Sequence, residues 1–303
     1  MTTLPLRLVD TTERYLWTDR LGRVTELPVL AGAEGLGLPP TRLDSRVAFR
    51  EDGERRLQQE HDAREIFLPV GVQPLDCPPR QALRTLLRDL GCRVDTTIST
   101  GVLRVELDGV PAREIEASLV EGMSLTVDSS RVQTIGLTFR AHEPYWRGVD
   151  DVVFPFATGE GLPFFANPDP SDPMIGNPFP PFQLGTVAIT GGATVNVSCD
   201  VSVFPRWALT GPAEDVTLLN VTTDEAILLP GLVLDAGETL HIDTRPGVKT
   251  VLDGDGVNRY PSLAPESTLF KLAPGPNDLL LFVDGATFDT TLELRYRERF
   301  LTF

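Results

Sequence analysis

Short apolar runs separated by tight-turn clusters fill the second half of this chain, and they restrict its fold more than any other feature. The turn clusters include Arg245-Pro-Gly, Asp253-Gly-Asp-Gly and Pro274-Gly-Pro-Asn. Glycine, proline, asparagine and aspartate favour turns, so each cluster predicts the end of one strand and the start of the next. This spacing is typical of a two-sheet antiparallel sandwich. The predicted strands cover residues 186–190, 194–198, 206–210, 216–220, 226–229, 239–243, 248–252, 279–283 and 291–297.

The composition fits a turn-rich, mostly β protein with two domains. The chain has 303 residues, enough for two ordinary domains, and its 26 prolines exceed the average for that length. The formal net charge of −16 disfavours binding to nucleic-acid phosphates or to anionic membranes. No apolar run reaches membrane-spanning length, and the first residues lack the apolar core of a signal peptide. We therefore expect the chain to be made and folded in a cytosol.

One amphipathic helix stands out in the first half of the chain. Leu83, Leu86, Leu87 and Leu90 recur at i, i+3, i+4 and i+7, a spacing that places them on one helical face. Prolines precede this stretch and Gly91 follows it. We predict a helix over residues 80–90 that ends at the glycine.

Strands flank this helix in the sequence. Apolar and polar residues alternate over 103–107 and again over 115–119, and Gly109 between them predicts a β-hairpin. The alternation indicates one buried face and one exposed face. Further strands are predicted over residues 14–17, 64–72 and 135–141.

A change of composition near residue 150 predicts a domain boundary. Residues 155–185 are rich in proline, glycine and asparagine, and they carry little periodicity. Several phenylalanines in this stretch favour a linker that packs on another part of the protein. We predict an N-terminal domain over residues 1–150, a Pro/Gly/Phe-rich linker over 151–185 and a C-terminal sandwich over 186–303.

The three histidines do not form a recognisable catalytic or metal motif. His241 alternates with buried positions and is predicted to be an exposed strand residue. His142 follows a predicted strand without an accompanying nucleophile motif. His61 lies in a polar stretch and is predicted to occupy a solvated loop. We expect no catalytic residues, and the chain is predicted not to be an enzyme.

Two glycine-containing segments fail the tests for ligand binding. Counting an EF-hand loop from Asp253 places Val257 and Ala264 at ligand positions, so the match fails and a hairpin turn is predicted. A calcium site of another geometry is left open there. The Gly35-Leu-Gly segment is followed by two prolines where a phosphate-binding helix would begin, and residues 32–40 are predicted to be irregular. We expect neither a cofactor nor a metal.

The cysteines predict neither a disulfide framework nor a metal site. Cys77, Cys92 and Cys199 are odd in number and widely spaced. Free cysteine is among the most often buried residue types. We predict three buried, reduced thiols.

Several motifs resemble the distal tail proteins of siphophages, the long-tailed bacteriophages. Their order along the chain extends the resemblance over nearly its whole length, although the Pro-rich stretch 155–182 departs from the pattern. The motifs are Gly35-Leu-Gly-Leu-Pro-Pro, Arg64-Glu-Ile-Phe-Leu-Pro, Leu137-Thr-Phe-Arg-Ala-His-Glu-Pro-Tyr-Trp-Arg-Gly, Leu209-Thr-Gly-Pro and Leu234-Asp-Ala-Gly-Glu-Thr-Leu-His-Ile-Asp-Thr.

The resemblance implies both an architecture and a role. The N-terminal domain would be a β-sandwich-type domain with one α-helix and a projecting hairpin, and it would form a hexameric ring. The C-terminal domain would be a galectin-like, jelly-roll β-sandwich. The ring would join the tail tube protein to hub, baseplate and receptor-binding proteins at the distal tail end of the virion, and DNA would pass through it without specific binding.

Two other functions remain open at this point. A lectin-like host-recognition module would bind saccharide directly, with Trp207 and Tyr260 as the candidate contacts in the C-terminal domain. A hydrolase would need a pair of carboxylates in one site, and the sequence offers no motif that places two together.

Overall fold

The chain folds into two compact units. The computed structural model describes residues 13–46, 52, 54–73, 79–122, 133–156, 189–287 and 289–303. The first unit contains Met1–Val149 together with Arg299–Phe303, and the second contains Asp150–Glu298. The described residues form a mostly β structure, as predicted, with one α-helix. That helix does not have the length and apolar character needed to cross a membrane.

The first unit is built on a branched antiparallel sheet. Its elements are β1 (Glu13–Thr18), β2 (Val24–Leu27), β3 (Thr41–Arg46), β4 (Arg55–His61), β5 (Arg64–Val72), α1 (Pro79–Val94), β6 (Gly101–Leu107), β7 (Val110–Gly122), β8 (Gln133–Ala141), β9 (Trp146–Gly148) and, after the second unit, β19 (Arg299–Phe300).

The long strand β7 is the branch point of this sheet. Its first half pairs with β6 and β9, and its last residues pair with β8 after a register shift between Leu119 and Glu121. The order β19-β9-β7-β6-β1-β2 runs along one branch, and β8 carries β5 on the other. The predicted hairpin is confirmed, with Gly109 at a φ of 79° in its turn. Such a φ favours glycine, which has no Cβ to clash.

Helix α1 covers the core of the first unit and runs further than the sequence predicted. Gly91 lies inside the helix, so its prediction as a stop was wrong. Leu87, Leu90 and Val94 are all buried, which shows that the apolar stripe continues by one more turn. The Trp17 indole N–H also donates to the Arg93 carbonyl at 2.9 Å. These tertiary contacts outweigh the low helix propensity of the glycine.

A second hairpin, formed by β3 and β4, was not predicted from the sequence. Every residue of both strands is exposed, and the pair forms its own two-stranded sheet. Neither strand shows apolar alternation because neither has a buried face. His61 ends β4, so its prediction as a loop residue was wrong, whereas its exposure was predicted correctly.

The second unit is an antiparallel sandwich of a five-stranded and a four-stranded sheet. The first sheet has the order β10-β18-β12-β15-β16 and the second β11-β17-β13-β14. The strands are β10 (Val152–Phe156), β11 (Ile189–Val197), β12 (Arg206–Thr210), β13 (Ala213–Asn220), β14 (Glu225–Leu234), β15 (Thr239–Asp243), β16 (Thr250–Asp253), β17 (Gly275–Asp284) and β18 (Thr291–Tyr296).

Alternate residues of these strands form the core of the second unit. Leu218, Ile227 and Leu281 are buried on the four-stranded sheet, and Leu240 and Leu294 are buried on the five-stranded sheet. The burial of Leu240 next to the exposed His241 agrees with the period of two predicted for that strand.

Two of the predicted turns lie inside strands. Residues 189–190 and 194–197 of two predicted strands belong to one strand, β11, in which Gly191 and Gly192 stay paired with β17. The prediction of a turn at Pro274-Gly-Pro-Asn was partly wrong as well, because β17 already begins at Gly275. Long-range pairing overrides the local preference of glycine and proline for turns in both places.

The structure divides the chain differently from the predicted boundaries in two segments. Residues 152–156, placed in the linker by composition, form β10 and pair with β18 in the second unit. Residues 299–303, placed in the C-terminal domain, belong to the first unit. Both differences arise from pairing between residues far apart in sequence. Most of the predicted linker, residues 157–188, lies outside the described residues.

Gly101 offers a direct test of packing in the first unit. A Cβ at this position would lie 2.2 Å from Cζ2 of the buried Trp17 ring, whereas a Cβ at Gly37 would meet nothing within 4 Å. We expect Gly101→Ala to destabilise the first unit by about 1–3 kcal/mol through overpacking. Gly37→Ala is the matched control, with an effect near zero in urea denaturation. Equal stability of both variants would contradict the packing described for Trp17.

Candidate assembly surfaces

The histidines are not brought together. His61 ends β4 with its ring edge-on to Tyr145 at 5.7 Å, while His142 is exposed just after β8. His241 lies in the second unit and is exposed on β15, as predicted. Within the described parts of the chain, no group of three or more His, Cys, Asp and Glu residues could hold a metal ion.

The Asp253 turn uses its carboxylate to close itself. The side chain accepts backbone N–H groups from Asp255 at 3.2 Å and Val257 at 2.8 Å, and the Arg259 guanidinium at 3.0 Å. The Val257 bond is the largest of the causes that lower the pKa of this carboxyl. This geometry supports the predicted hairpin turn.

The cysteines differ from the prediction at one of the two described positions. Cys92 is exposed on α1, on the side away from the buried stripe, so its predicted burial was wrong. Cys199 is buried, and its thiol donates to the Val201 carbonyl at 3.2 Å. Cys77 lies outside the described residues.

The two saccharide candidates occupy different environments. Trp207 is only 2% exposed and packs between Phe156 and Phe270, with ring centroids 5.8 and 6.1 Å away. A buried indole offers no surface for stacking on a sugar, so Trp207 is a core residue. Tyr260 is 44% exposed in the 3-10 turn Tyr260–Ser262. The structure therefore does not bring the two rings together as a platform.

The described part of the first unit contains a mostly apolar cavity. Its volume is about 320 Å³, and its lining includes Glu13, Tyr15, Leu36 and Phe303. The Tyr15 hydroxyl donates to Glu13 at 2.8 Å, and burial together with this bond raises the pKa of Tyr15. Glu13 has the single acidic side chain among the described lining residues, which therefore do not supply the pair of acidic side chains typical of a glycoside hydrolase.

The most connected polar side chain of the first unit is Arg64 at the start of β5. The residue is 1% exposed. Its guanidinium donates to the carbonyls of Gly35, Leu36 and Gly37 at 3.1, 3.2 and 2.7 Å, and to that of Leu301 at 2.7 Å. Burial lowers the pKa of Arg64 to about 10, which leaves it charged at neutral pH. Main-chain carbonyls from two distant segments thus accept from both terminal nitrogens of the guanidinium, whereas its buried Nε–H has no partner among the described residues.

Residues 299–303, here called the C-terminal strap, are held by two more arginines. Arg113 donates to the Thr302 carbonyl and lies over the Phe300 ring, with its guanidinium carbon 3.7 Å from the ring centroid. Arg299 itself pairs with Glu143 at 2.7 Å. Phe300 pairs with Trp146 in the β19–β9 ladder. The strap is therefore an integral part of the first unit.

Sequence reasoning could not find this strap. From the sequence, Arg64 was identified only as the first residue of a strand. Its hydrogen-bond partners are backbone carbonyls, which every residue type has, so the sequence does not indicate which residues they belong to. The one sequence signal is the Arg64-Glu-Ile-Phe-Leu-Pro motif, which shows that an arginine starts a buried strand.

The second unit has its own charged cluster on the five-stranded sheet. Asp151 accepts from Arg206 at 2.5 Å and from Arg297 at 3.1 Å. Partial burial tends to raise the pKa of Asp151, but hydrogen bonds and charge from the two arginines outweigh it, and the pKa is lowered overall. The cluster connects the start of β10 with β12 and with the segment after β18.

We expect Arg64→Lys to destabilise the first unit by about 2–4 kcal/mol. An ammonium cannot reach carbonyls on both sides as the planar guanidinium does, and buried acceptors left unpaired are costly. Urea denaturation measures the loss, and hydrogen–deuterium exchange should show faster exchange at residues 299–303. Arg140→Lys, on an exposed side chain 3.7 Å from Glu65, is the control and should be neutral. Unchanged exchange in the strap would contradict the role given to Arg64.

We expect Asp151→Asn to lower the stability of the second unit by about 1 kcal/mol at pH 7. The folded-state pKa lies below the ordinary value of 3.8, so the carboxylate stabilises the fold above that pH. The contribution disappears as the pH falls through the lowered pKa, and the two proteins should then converge. Thermal unfolding between pH 2 and pH 7 measures this, with the exposed Asp255→Asn as control. A stability difference independent of pH would contradict the ion-pair origin.

The comparisons with known proteins agree with the two-domain β architecture. The family described as "Siphovirus-type tail component, C-terminal domain" matches residues 198–300. No curated protein sequence matches the chain.

Two solved structures share the fold over nearly the whole chain. One is the crystal structure of the phage SPP1 Dit (gp 19.1) protein, described as a paradigm of the hub adsorption apparatus in phages that infect Gram-positive bacteria. It is 12% identical, covers 95% of this chain and 99% of its own, and has a TM-score of 0.66. The other is the phage P2 baseplate in its activated conformation with Ca, at 10% identity, 94% and 98% coverage and a TM-score of 0.51.

These matches confirm the resemblance that the sequence motifs indicated. The family match lies in the second unit except for its last two residues, while the structural likeness extends over both units. Residues 198–300 match the siphovirus-type tail component family, and the chain as a whole has the same fold as the SPP1 Dit protein.

Proposed function

We propose that this protein forms a hexameric ring at the distal end of a phage tail and joins the tail tube to the baseplate. The observation that carries the proposal is the structural likeness to the SPP1 hub protein over 95% of this chain and 99% of that one. Coverage of nearly all of both chains supports the presence of both domains of that architecture. The role is structural, and it places the protein in the virion.

The β3–β4 hairpin supports a ring held together by contacts between subunits. A two-stranded sheet is marginally stable by itself in water, yet every residue of β3 and β4 is exposed. Leu43 and Leu57 are 54% and 65% exposed on this hairpin. Contact with a neighbouring subunit would bury these leucines and stabilise the pairing. We propose the hairpin as a contact between neighbouring copies of the chain in the ring.

The acidic surface suits a channel through which DNA passes. The net charge of −16 disfavours contact with phosphates, so DNA would slide past without being held. The tail tube protein would contact one side of the ring, and hub, baseplate and receptor-binding proteins would contact the other.

Of the two candidate saccharide contacts, only Tyr260 is exposed, because Trp207 is buried. A single exposed tyrosine is a weaker basis for sugar stacking than the two-ring platform considered from the sequence. Glycan-array binding that disappears in Tyr260→Ala would be needed to support this function. We therefore place the structural role first.

We expect the purified chain to form a hexamer in light scattering and a ring in electron micrographs. Replacing Leu43 and Leu57 together with aspartate should shift the population toward monomer by at least tenfold, because the hairpin contact would then bury charge. At a concentration where neither protein assembles, the unfolding midpoint of the monomer should stay unchanged, since neither leucine packs in the core. Val248→Asp, an exposed site of the second unit, is the control. A monomer at all concentrations, without rings, would contradict the proposal.

A further inference from the structure

The outer face of the four-stranded sheet in the second unit is apolar. Outward positions of a solvated antiparallel strand are normally polar, but three adjacent strands of this sheet carry apolar side chains there. Thr217 of β13 pairs with Phe282 on one side and with Leu228 on the other, and Leu219 pairs in the same way with Leu280 and Ala226. We call these side chains the apolar sheet face: Leu219, Ala226, Leu228, Leu280 and Phe282.

The side chains of the apolar sheet face are all at least partly accessible to solvent. Phe282 is 36% exposed, and the other four side chains are partly buried. Gly192 pairs with Leu280 from the edge strand β11, and a Cβ there would lie 3.0 Å from the Leu280 Cδ2 atom. Because glycine leaves this space free, Leu280 extends the apolar surface over β11.

The other sheet of the same sandwich shows that this apolar character is specific to one face. Outward positions of the five-stranded sheet carry Arg206, Asp243 and Arg295 in one cross-strand row and Glu293 and His241 in the next. That face is charged and exposed to solvent, as expected for the outer face of an antiparallel sheet. An extended apolar patch on only one face of a domain is typical of an interaction site.

The charged side chains of the four strands in this sheet all have a negative charge. Glu214 and Asp284 pair across the strands at one end, and Asp278 pairs with Thr194 at the other. The strands β11, β13, β14 and β17 contain no lysine or arginine in their sequences. A partner that fits this surface would need apolar side chains flanked by basic ones.

We propose that the apolar sheet face docks another tail protein that presents apolar side chains surrounded by lysine or arginine. The proposal rests on the function proposed above and names the surface and the chemistry of one partner. Binding would remove the apolar side chains from water and pair the carboxylates at both ends with basic side chains of the partner.

The same charges argue against two other occupants. A second copy docked face to face would bring Glu214 and Asp284 of one chain near the carboxylates of the other. The segment 157–188 of the chain itself contains Glu160, Asp169 and Asp172 and no basic residue, so it would meet the same repulsion. A partner with basic side chains would be attracted by the carboxylates that repel these two occupants.

The test uses the full chain and the purified proteins encoded beside it in its tail gene cluster, mixed with it one at a time. We expect one of them to slow hydrogen–deuterium exchange in β13, β14 and β17. Phe282→Asp should weaken its affinity at least tenfold, and Asp284→Lys should weaken it and reduce its dependence on salt. Ala208→Asp, an outward position of the five-stranded sheet, is the matched control and should change the affinity less than twofold. Circular dichroism and unfolding midpoints verify that each variant folds.

Each other outcome overturns the proposal. Affinities unaffected by Phe282→Asp, or binding by none of the purified proteins, would exclude the face as the docking site. Self-association that Phe282→Asp abolishes would assign the face to a second copy. Slow hydrogen–deuterium exchange of β13, β14 and β17 in the isolated chain, lost on deletion of residues 157–188, would show that this segment covers the face. Light scattering reports separately on the hexamer, so loss of the proposed ring is distinguishable from loss of docking.

Discussion

The buried guanidinium of Arg64 is the interaction on which the first domain depends. A buried charge is costly unless hydrogen bonds satisfy it, and here the acceptors are carbonyls from residues 35–37 and from Leu301. The bonds therefore require both the irregular loop before β3 and the C-terminal strap to stay in place. Because the strap follows the second domain in the sequence, the chain must fold back into the first domain before that domain is complete.

The two domains differ in which β-strands they leave exposed. In the first, the exposed hairpin β3–β4 leaves two strands without a buried face, and contact between subunits would supply one. In the second, the sandwich buries its inner faces, and the outer faces differ, one charged and one apolar. Both exposed features are surfaces that contact with another chain would stabilise, as proposed for a protein that works inside an assembly.

Periodicity identified most of the elements because their burial is one-sided. The strands β6 and β8 alternate strictly and were placed nearly at their true bounds, and the leucines of α1 were placed on the buried face. Errors occurred where tertiary contacts override a local signal. Gly91 continues a helix that Val94 anchors, and Gly192 stays in a strand that β17 pairs. The hairpin β3–β4 gave no periodic signal, because all its side chains are exposed.

The amino-acid sequence by itself determined the β-rich class, the inward positions of the strands, the helix and the resemblance to tail proteins, since these depend on local pattern and motif order. The tertiary structure decided which residues meet across long separations. It buried Trp207 in the core, brought the C-terminal strap to Arg64 and placed five apolar side chains on one outer face. Such placements follow from strand order and register, which local residue preferences do not encode.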